Sequence, residues 1–156
     1  MDRYIRNKLI FTGTPEAMKA LVEDLKYGDE PLNFNKFIPV ADEAEKEEKW
    51  GIAKDFEEFD WVLWNKETVL EFTFDTINAI PLPVYRKLAE LFPEQEMCVK
   101  YADEDLGENC GIYESLAGSS ELIAKEVDDP FEFACEIWDR DPEEEMQERM
   151  INFNEE

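Results

Sequence analysis

Leu32-Asn33-Phe34-Asn35-Lys36-Phe37-Ile38-Pro39 and, a short way downstream, Trp50-Gly51-Ile52-Ala53-Lys54 are the two boxes on which the fold of this chain turns. Leu32, Phe34, Phe37 and Ile38 supply apolar anchors around Asn33 and Asn35, whose side chains bond nearby backbone where a strand gives way to a turn. The boxes hold no nucleophile, no metal cluster and no phosphate loop. They speak for architecture rather than chemistry.

Upstream of them, Tyr4 to Thr12 alternates, with Ile5, Leu9 and Phe11 on one side and Arg6, Lys8 and Thr12 on the other, the pattern of a half-buried strand. Asn7 falls on the apolar side. A buried amide must find partners for its donors and acceptor, so its expected job is to tie the strand to a neighbouring loop. Gly13 turns the chain, Thr14 and Pro15 open a helix as N-cap and first residue, and Ala17, Met18, Leu21, Val22 and Leu25 repeat at helical spacing up to an expected stop at Gly28.

Downstream, Ala41 to Lys49 is a mixed-charge run without an apolar face, a solvated loop or a short exposed helix. Phe56, Phe59, Trp61, Val62, Leu63 and Trp64 then crowd together. Such aromatics form either a recognition patch, with Trp50, Trp61 and Trp64 as its partner-binding residues, or packing against a sheet, which the burial habit of large rings favours. Asn65-Lys66-Glu67 reads as a hairpin turn into Thr68 to Thr76, where Leu70, Phe72 and Phe74 oppose Glu71, Thr73 and Asp75. Pro81 and Pro83 open a second helix that turns Val84, Leu88, Leu91 and Phe92 to the core and ends at Pro93, and Glu96 to Tyr101 is a further strand. The order strand, helix, strand, strand, helix, strand predicts an α+β, ferredoxin-like βαββαβ fold: an antiparallel sheet with both helices on one face. One more strand, Glu121 to Val127, extends it, giving a domain over residues 1–127 and an appendage over 128–156 docked on the same core.

Several of these boxes fall in a recognisable order. Asn7-x-Leu9 with Gly13, Phe34-Asn35-Lys36-Phe37-Ile38-Pro39, Trp50-Gly51-x-x-Lys54, Phe72-x-Phe74-Asp75-Thr76, Leu91-Phe92-Pro93 and Gly111 together resemble the YubB ferredoxin-like domain family over roughly Tyr4 to Leu116. The resemblance implies a plasmid or phage setting and no assigned activity. Tyr4-Ile5 stands where that family tends to carry Trp-Cys, and Ala53 and Asp55 flank Lys54 where it tends to carry Thr and Trp.

Composition excludes much chemistry. Among 156 residues there is no His, which removes the commonest general base and the commonest ligand of hydrolytic zinc. Ser115, Ser119 and Ser120 lack a tuned base, and no Gly-rich loop joins a strand to a helix. Cys98, Cys110 and Cys135 lack CxxC spacing and read as reduced, mostly buried thiols. No enzyme activity and no cofactor are expected. Asp103, Asp105, Asn109 and Glu114 fall at four ligand positions of a calcium loop, but Glu108 stands where that loop needs Gly, so a strand-connecting turn is expected and no metal. The charged start and the lack of a run of roughly 20 apolar residues lead to the expectation of a cytoplasmic protein.

The net charge of −24 is one-sided: residues 1–40 hold six acids and six bases, so the whole excess lies beyond Val40. It is densest at the end, where Asp129-Pro130-Phe131-Glu132 and Asp141-Pro142-Glu143-Glu144 read as capping boxes opening two short helices. Phe131, Ala134, Cys135 and Trp138 form a docking stripe on the first, and Met146, Met150 and Phe153 a weaker one on the second. Glu132, Glu136, Asp139, Asp141, Glu143, Glu144, Glu145 and Glu148 are then expected on the outward faces as a partner-binding acidic surface. Two readings follow: a DNA-mimicking inhibitor of a host nucleic-acid-binding protein, of anti-restriction or anti-CRISPR type, or an accessory protein-interaction module whose acidity serves only solubility. Neither involves direct nucleic-acid or membrane binding.

Overall fold

The computed structural model describes residues 2–52 and 62–155. Its spine is β1 (Tyr4–Thr12), in which Ile5, Asn7, Leu9 and Phe11 are buried while Arg6, Lys8, Ile10 and Thr12 stay partly open, as the period-2 pattern requires. Five further strands among the described residues join it in an antiparallel sheet: β2 (Val62–Lys66), β3 (Val69–Ile77), β4 (Glu96–Asp103), β5 (Cys110–Ser115) and β6 (Ile123–Lys125). The order across the six-stranded sheet is β2-β3-β1-β4-β5-β6. Leu9 lies opposite Phe72 and Val99, and Phe11 opposite Leu70 and Met97, so the inward residues of three strands meet on one face. The hairpin turn falls later than expected, because Asn65 and Lys66 still pair with Leu70 and Val69, and β6 is shorter than the stretch 121–127.

Among the described residues four helices lie between the strands in sequence: α1 (Pro15–Leu25), α2 (Phe34–Phe37), α3 (Glu43–Trp50) and α4 (Leu82–Leu91). Met18, Leu21 and Leu25 of α1 and Val84, Tyr85 and Leu88 of α4 join Leu9, Phe11, Phe72, Phe74, Met97 and Val99 in a single core, so both helices cover the same face of the sheet. Asn7 sits at zero exposure in this core, and its Nδ2 donates to Ile5 O and Thr76 Oγ1, each at 3.0 Å. Thr76 in turn donates to Ala79 O at 2.7 Å, which carries the tie into the loop before α4.

The first box departs from its sequence reading. It is one helical turn, α2, rather than the end of a strand: Asn33 caps it by accepting the Asn35 N–H at 2.8 Å, and Asn35 Oδ1 accepts the Val40 N–H at 3.1 Å. Side-chain amides satisfy the local backbone, so no ladder forms. Lys36 donates its ammonium to Asp24 O and, at 2.7 Å, to Lys26 O, which closes the C-terminus of α1 at Leu25. Gly28 therefore serves the bridged turn from Tyr27 to Glu30 and is not the helix stop.

Trp50 also departs from its place in an exposed aromatic patch. It is 3% exposed, its Nε1–H donates to Ile38 O at 2.8 Å, and Phe34 meets its ring edge-on at 5.6 Å, so the second box closes over the first as core. Lys54, Phe56, Phe59 and Trp61 lie outside the described residues, as do the side chains of Val62 to Lys66, Trp64 included. Among the described residues no helix is long and apolar enough to cross a membrane.

Candidate functional site

The C-terminal acids are carried by α5 (Pro130–Ile137) and α6 (Pro142–Glu155). Asp129 caps α5 by accepting the Glu132 N–H at 3.1 Å, and Pro130 takes the first helical position, as its sequence signature predicts. Ala134, Cys135 and Ile137 pack with Ala102 and Leu106 in a cluster separate from the main core. Ala102 alternates with Val99 and Tyr101 along β4, so α5 lies on the face of the sheet opposite α1 and α4. This corrects the expectation that the appendage docks on the main core. Trp138 locks the joint by donating Nε1–H to Ala102 O at 2.8 Å beneath the Arg6 guanidinium, 4.2 Å from its ring, while Arg6 is itself held by Asp75 at 2.9 Å.

The helix ends in a Schellman turn: Arg140 N–H bonds Cys135 O at 2.8 Å and Asp139 N–H bonds Glu136 O at 3.3 Å, with Asp139 at φ 55°. Asp141 then accepts the Glu143 N–H at 2.9 Å and starts α6. Met146 and Met150, 46% and 61% exposed, do not supply the apolar docking expected of α6; the Phe153 side chain lies outside the described residues. Two arginines hold the helix instead. Arg149 donates to Leu106 O at 2.6 Å with its guanidinium 4.5 Å from the Phe131 ring, and Arg140 pairs with Glu145 at 3.1 Å.

That arrangement sorts the acids. Glu145 leaves the expected outward set, because pairing with Arg140 folds it in to 18% side-chain exposure. Glu132, Glu136, Asp139, Asp141, Glu143, Glu144 and Glu148 remain exposed. The only two bases after Val127, Arg140 and Arg149, each reach a partner within the chain, although both side chains stay about half exposed, so seven exposed acids on these two helices and their turn outnumber two cations that are already engaged. Its field reaches inward: burial pushes the Cys135 thiol up, and Glu145, Asp129 and Asp141 add to that while Arg149 opposes it.

Sequence reasoning missed a cleft of about 820 Å³ between the starts of the two helices, open to solvent, with Phe131, Pro142 and Met146 among Asp129, Glu132, Asp141 and Glu143. Only the packing of α6 against α5 creates it; the duplicated Asp-Pro caps were its one signal. The residues that resemble a calcium loop are engaged in a hairpin between β4 and β5. Asp103 Oδ1 accepts the Asp105 N–H at 2.9 Å, Asp105 pairs with Arg3 at 3.1 Å, and Glu114 stands within β5. Among the described residues no group of three or more Cys, Asp or Glu is placed to hold a metal ion. No protein-family model, curated protein or solved structure matches this chain.

Proposed function

We propose that this chain is a non-enzymatic, acidic binding protein whose C-terminal helices imitate the charge rows of duplex DNA and occupy the groove of a basic nucleic-acid-binding protein such as a nuclease, repressor or restriction enzyme. One observation carries the reading: both bases of the appendage are spent on internal contacts, leaving seven exposed acids on two successive helices and the turn between them. Duplex DNA presents roughly one charge per 1.7 Å of axis. Carboxylates three or four residues apart on a helix, such as Glu132 and Glu136 or Glu144 and Glu148, lie about 5 to 6 Å from one another, close enough to follow such a row. The order β2-β3-β1-β4 with α1 and α4 on one face supports reading the scaffold as ferredoxin-like, and with the sequence boxes it supports a YubB-type protein of a plasmid or phage.

The alternative, an interaction module using Trp50, Trp61 and Trp64, loses Trp50 to the core. The test is competition. Wild type should displace a labelled duplex from a susceptible member of a panel of restriction enzymes, repressors and CRISPR nucleases, and displacement should fall steeply with salt. Glu143→Gln, Glu144→Gln and Glu148→Gln together, which leave the Glu145–Arg140 pair intact, should weaken it about tenfold or more and flatten its salt dependence. Displacement by the variant equal to wild type across the salt series would overturn the proposal and leave acidity to solubility.

A further inference from the structure

Beside α5, and uncovered by any other described helix, the face of the sheet opposite α1 and α4 carries a row of lysines that the acidic composition hides, with Glu71 and Glu114 one step along the strands from it. Lys8 lies directly opposite Lys100, Lys100 opposite Ile112, and Ile112 opposite Lys125, so one row across β1, β4, β5 and β6 reads Lys, Lys, Ile, Lys. Like charges directly opposite on neighbouring strands are destabilising. Yet in a chain with 40 acids, none of these lysines has an ion pair among the described residues.

Helix α6 bears the complementary row. At 3.6 residues per turn, Glu144, Glu148 and Ile151 fall within about 60° of arc, roughly 0, 6 and 10.5 Å along the axis. The lysine row steps by about 4.8 Å per strand, placing Lys8, Lys100 and Ile112 at roughly 0, 4.8 and 9.6 Å. The order is acid, acid, isoleucine against lysine, lysine, isoleucine, and the helix backbone returns position 155 to the same line near the distance of Lys125. Glu144, Glu148 and Ile151 are exposed, Ile151 at 56%, and no ion pair among the described residues takes either carboxylate. In its own chain α6 is fastened by Arg149 to Leu106 O, on another side of the helix, so this row points away from the body.

We infer that the lysine row is the docking site for α6 of a second copy of this chain, laid across the strands so that Glu144 meets Lys8, Glu148 meets Lys100 and Ile151 meets Ile112. The contact is head-to-tail, so copies add in series or close into a ring. It is small, and two chains of −24 repel at long range; association is therefore weak and strongest near physiological ionic strength, where screening over about 8 Å removes the distant repulsion and leaves the contact pairs. The inference does not rest on DNA mimicry, although both uses draw on Glu144 and Glu148.

Sedimentation velocity over a range from low to high micromolar concentration tests it with the full chain. Wild type should show a sedimentation coefficient that rises with concentration. Lys8→Glu with Lys100→Glu, and separately Glu144→Lys with Glu148→Lys, should each stay monomeric, while an equimolar mixture of the two variants should associate again. Wild type and mixture both monomeric throughout would overturn the contact, as would association that persists in the Lys8/Lys100 variant. Monomeric wild type that binds a single-stranded oligonucleotide, with binding lost on Lys8→Glu and Lys100→Glu, would overturn it in favour of a nucleic acid on the same row. The Lys8/Lys100 variant keeps the acidic face, so its result leaves the DNA-competition outcome independent.

Discussion

Tyr85 donates its phenol hydroxyl to Asn7 Oδ1 at 2.7 Å, and both side chains are fully buried. The amide is thereby satisfied on both ends, joining β1 to α4 as well as to β3. Tyr85→Phe keeps the ring and orphans the amide oxygen. The expected cost is about 1–3 kcal/mol in urea unfolding at neutral pH, the desolvation penalty of an unpaired buried acceptor. A loss within error of zero would mean that the network contributes only shape.

Alkaline pH should destabilise the protein. Burial pushes the Tyr85 phenol well above its ordinary value, and pushes Tyr101, Cys98, Cys110 and Cys135 up as well. A group whose folded pKa is raised gives its full stability below its unfolded pKa and loses it as pH rises toward the folded value. Urea midpoints should therefore hold to about pH 8.5, where unfolded thiols begin to ionise, and fall further above about 10 as unfolded tyrosines follow. Tyr85→Phe should make the fall above 10 shallower.

Gly51 ends α3 at φ 84°, and a Cβ there would meet Pro83 Cδ at 2.8 Å and Ile80 O at 3.3 Å. Gly51→Ala is expected to cost about 1–2 kcal/mol for the left-handed backbone and about 1–3 more for overpacking. Gly28→Ala provides the control, because Gly28 has a similar φ of 62° and nothing within 4 Å of its Cβ position. Equal thermal shifts for the two variants would refute the packing contribution.

Asp139 occupies the left-handed position of the Schellman turn that glycine usually fills. Asp139→Gly removes strain of about 1–2 kcal/mol and adds unfolded-chain entropy of about 0.5–1, so a net gain of about 0.5–1 kcal/mol is expected in thermal unfolding. A lower melting temperature would mean that the Asp139 carboxylate stabilises the turn.

Calcium should give no saturable heat at micromolar concentration in a calorimetric titration. Asp105 is held by Arg3, Asp103 accepts from its own turn, and the hairpin keeps Glu114 within the pairing of β4 with β5. Micromolar binding abolished by Asp105→Ala would contradict this.

The strands and main helices were legible because burial imposes a period: Ile5, Leu9 and Phe11, or Leu70, Phe72 and Phe74, announce one face each. The Asp-Pro caps located the starts of α5 and α6 to the residue for a similarly local reason, although α6 runs on to Glu155 where a short helix was expected. What escaped was decided by partners that a segment's own periodicity does not name, most of them far along the chain. Asn33 and Asn35 were seen to bond backbone, but whether they ended a strand or capped a helix depended on Phe34 finding Trp50 and Phe74. Glu145 left the outer face because Arg140 lies beside it across the turn, and Lys8 met Lys100 through a register that no single strand's alternation specifies.

The position of β1 has a consequence for how the molecule comes into being. β1 is central and precedes both of its neighbours in the sequence, which are encoded only at Val69–Ile77 and Glu96–Asp103. Until both have emerged, the growing chain carries Ile5, Leu9 and Phe11 on a segment with no ladder on either side. Closing loops of that length before any pairing is rewarded makes assembly slow relative to a helical protein of the same size. The nascent chain is at its most aggregation-prone just before β4 is complete. The acids from Glu104 onward are added only after that point, when the central strands already have their partners.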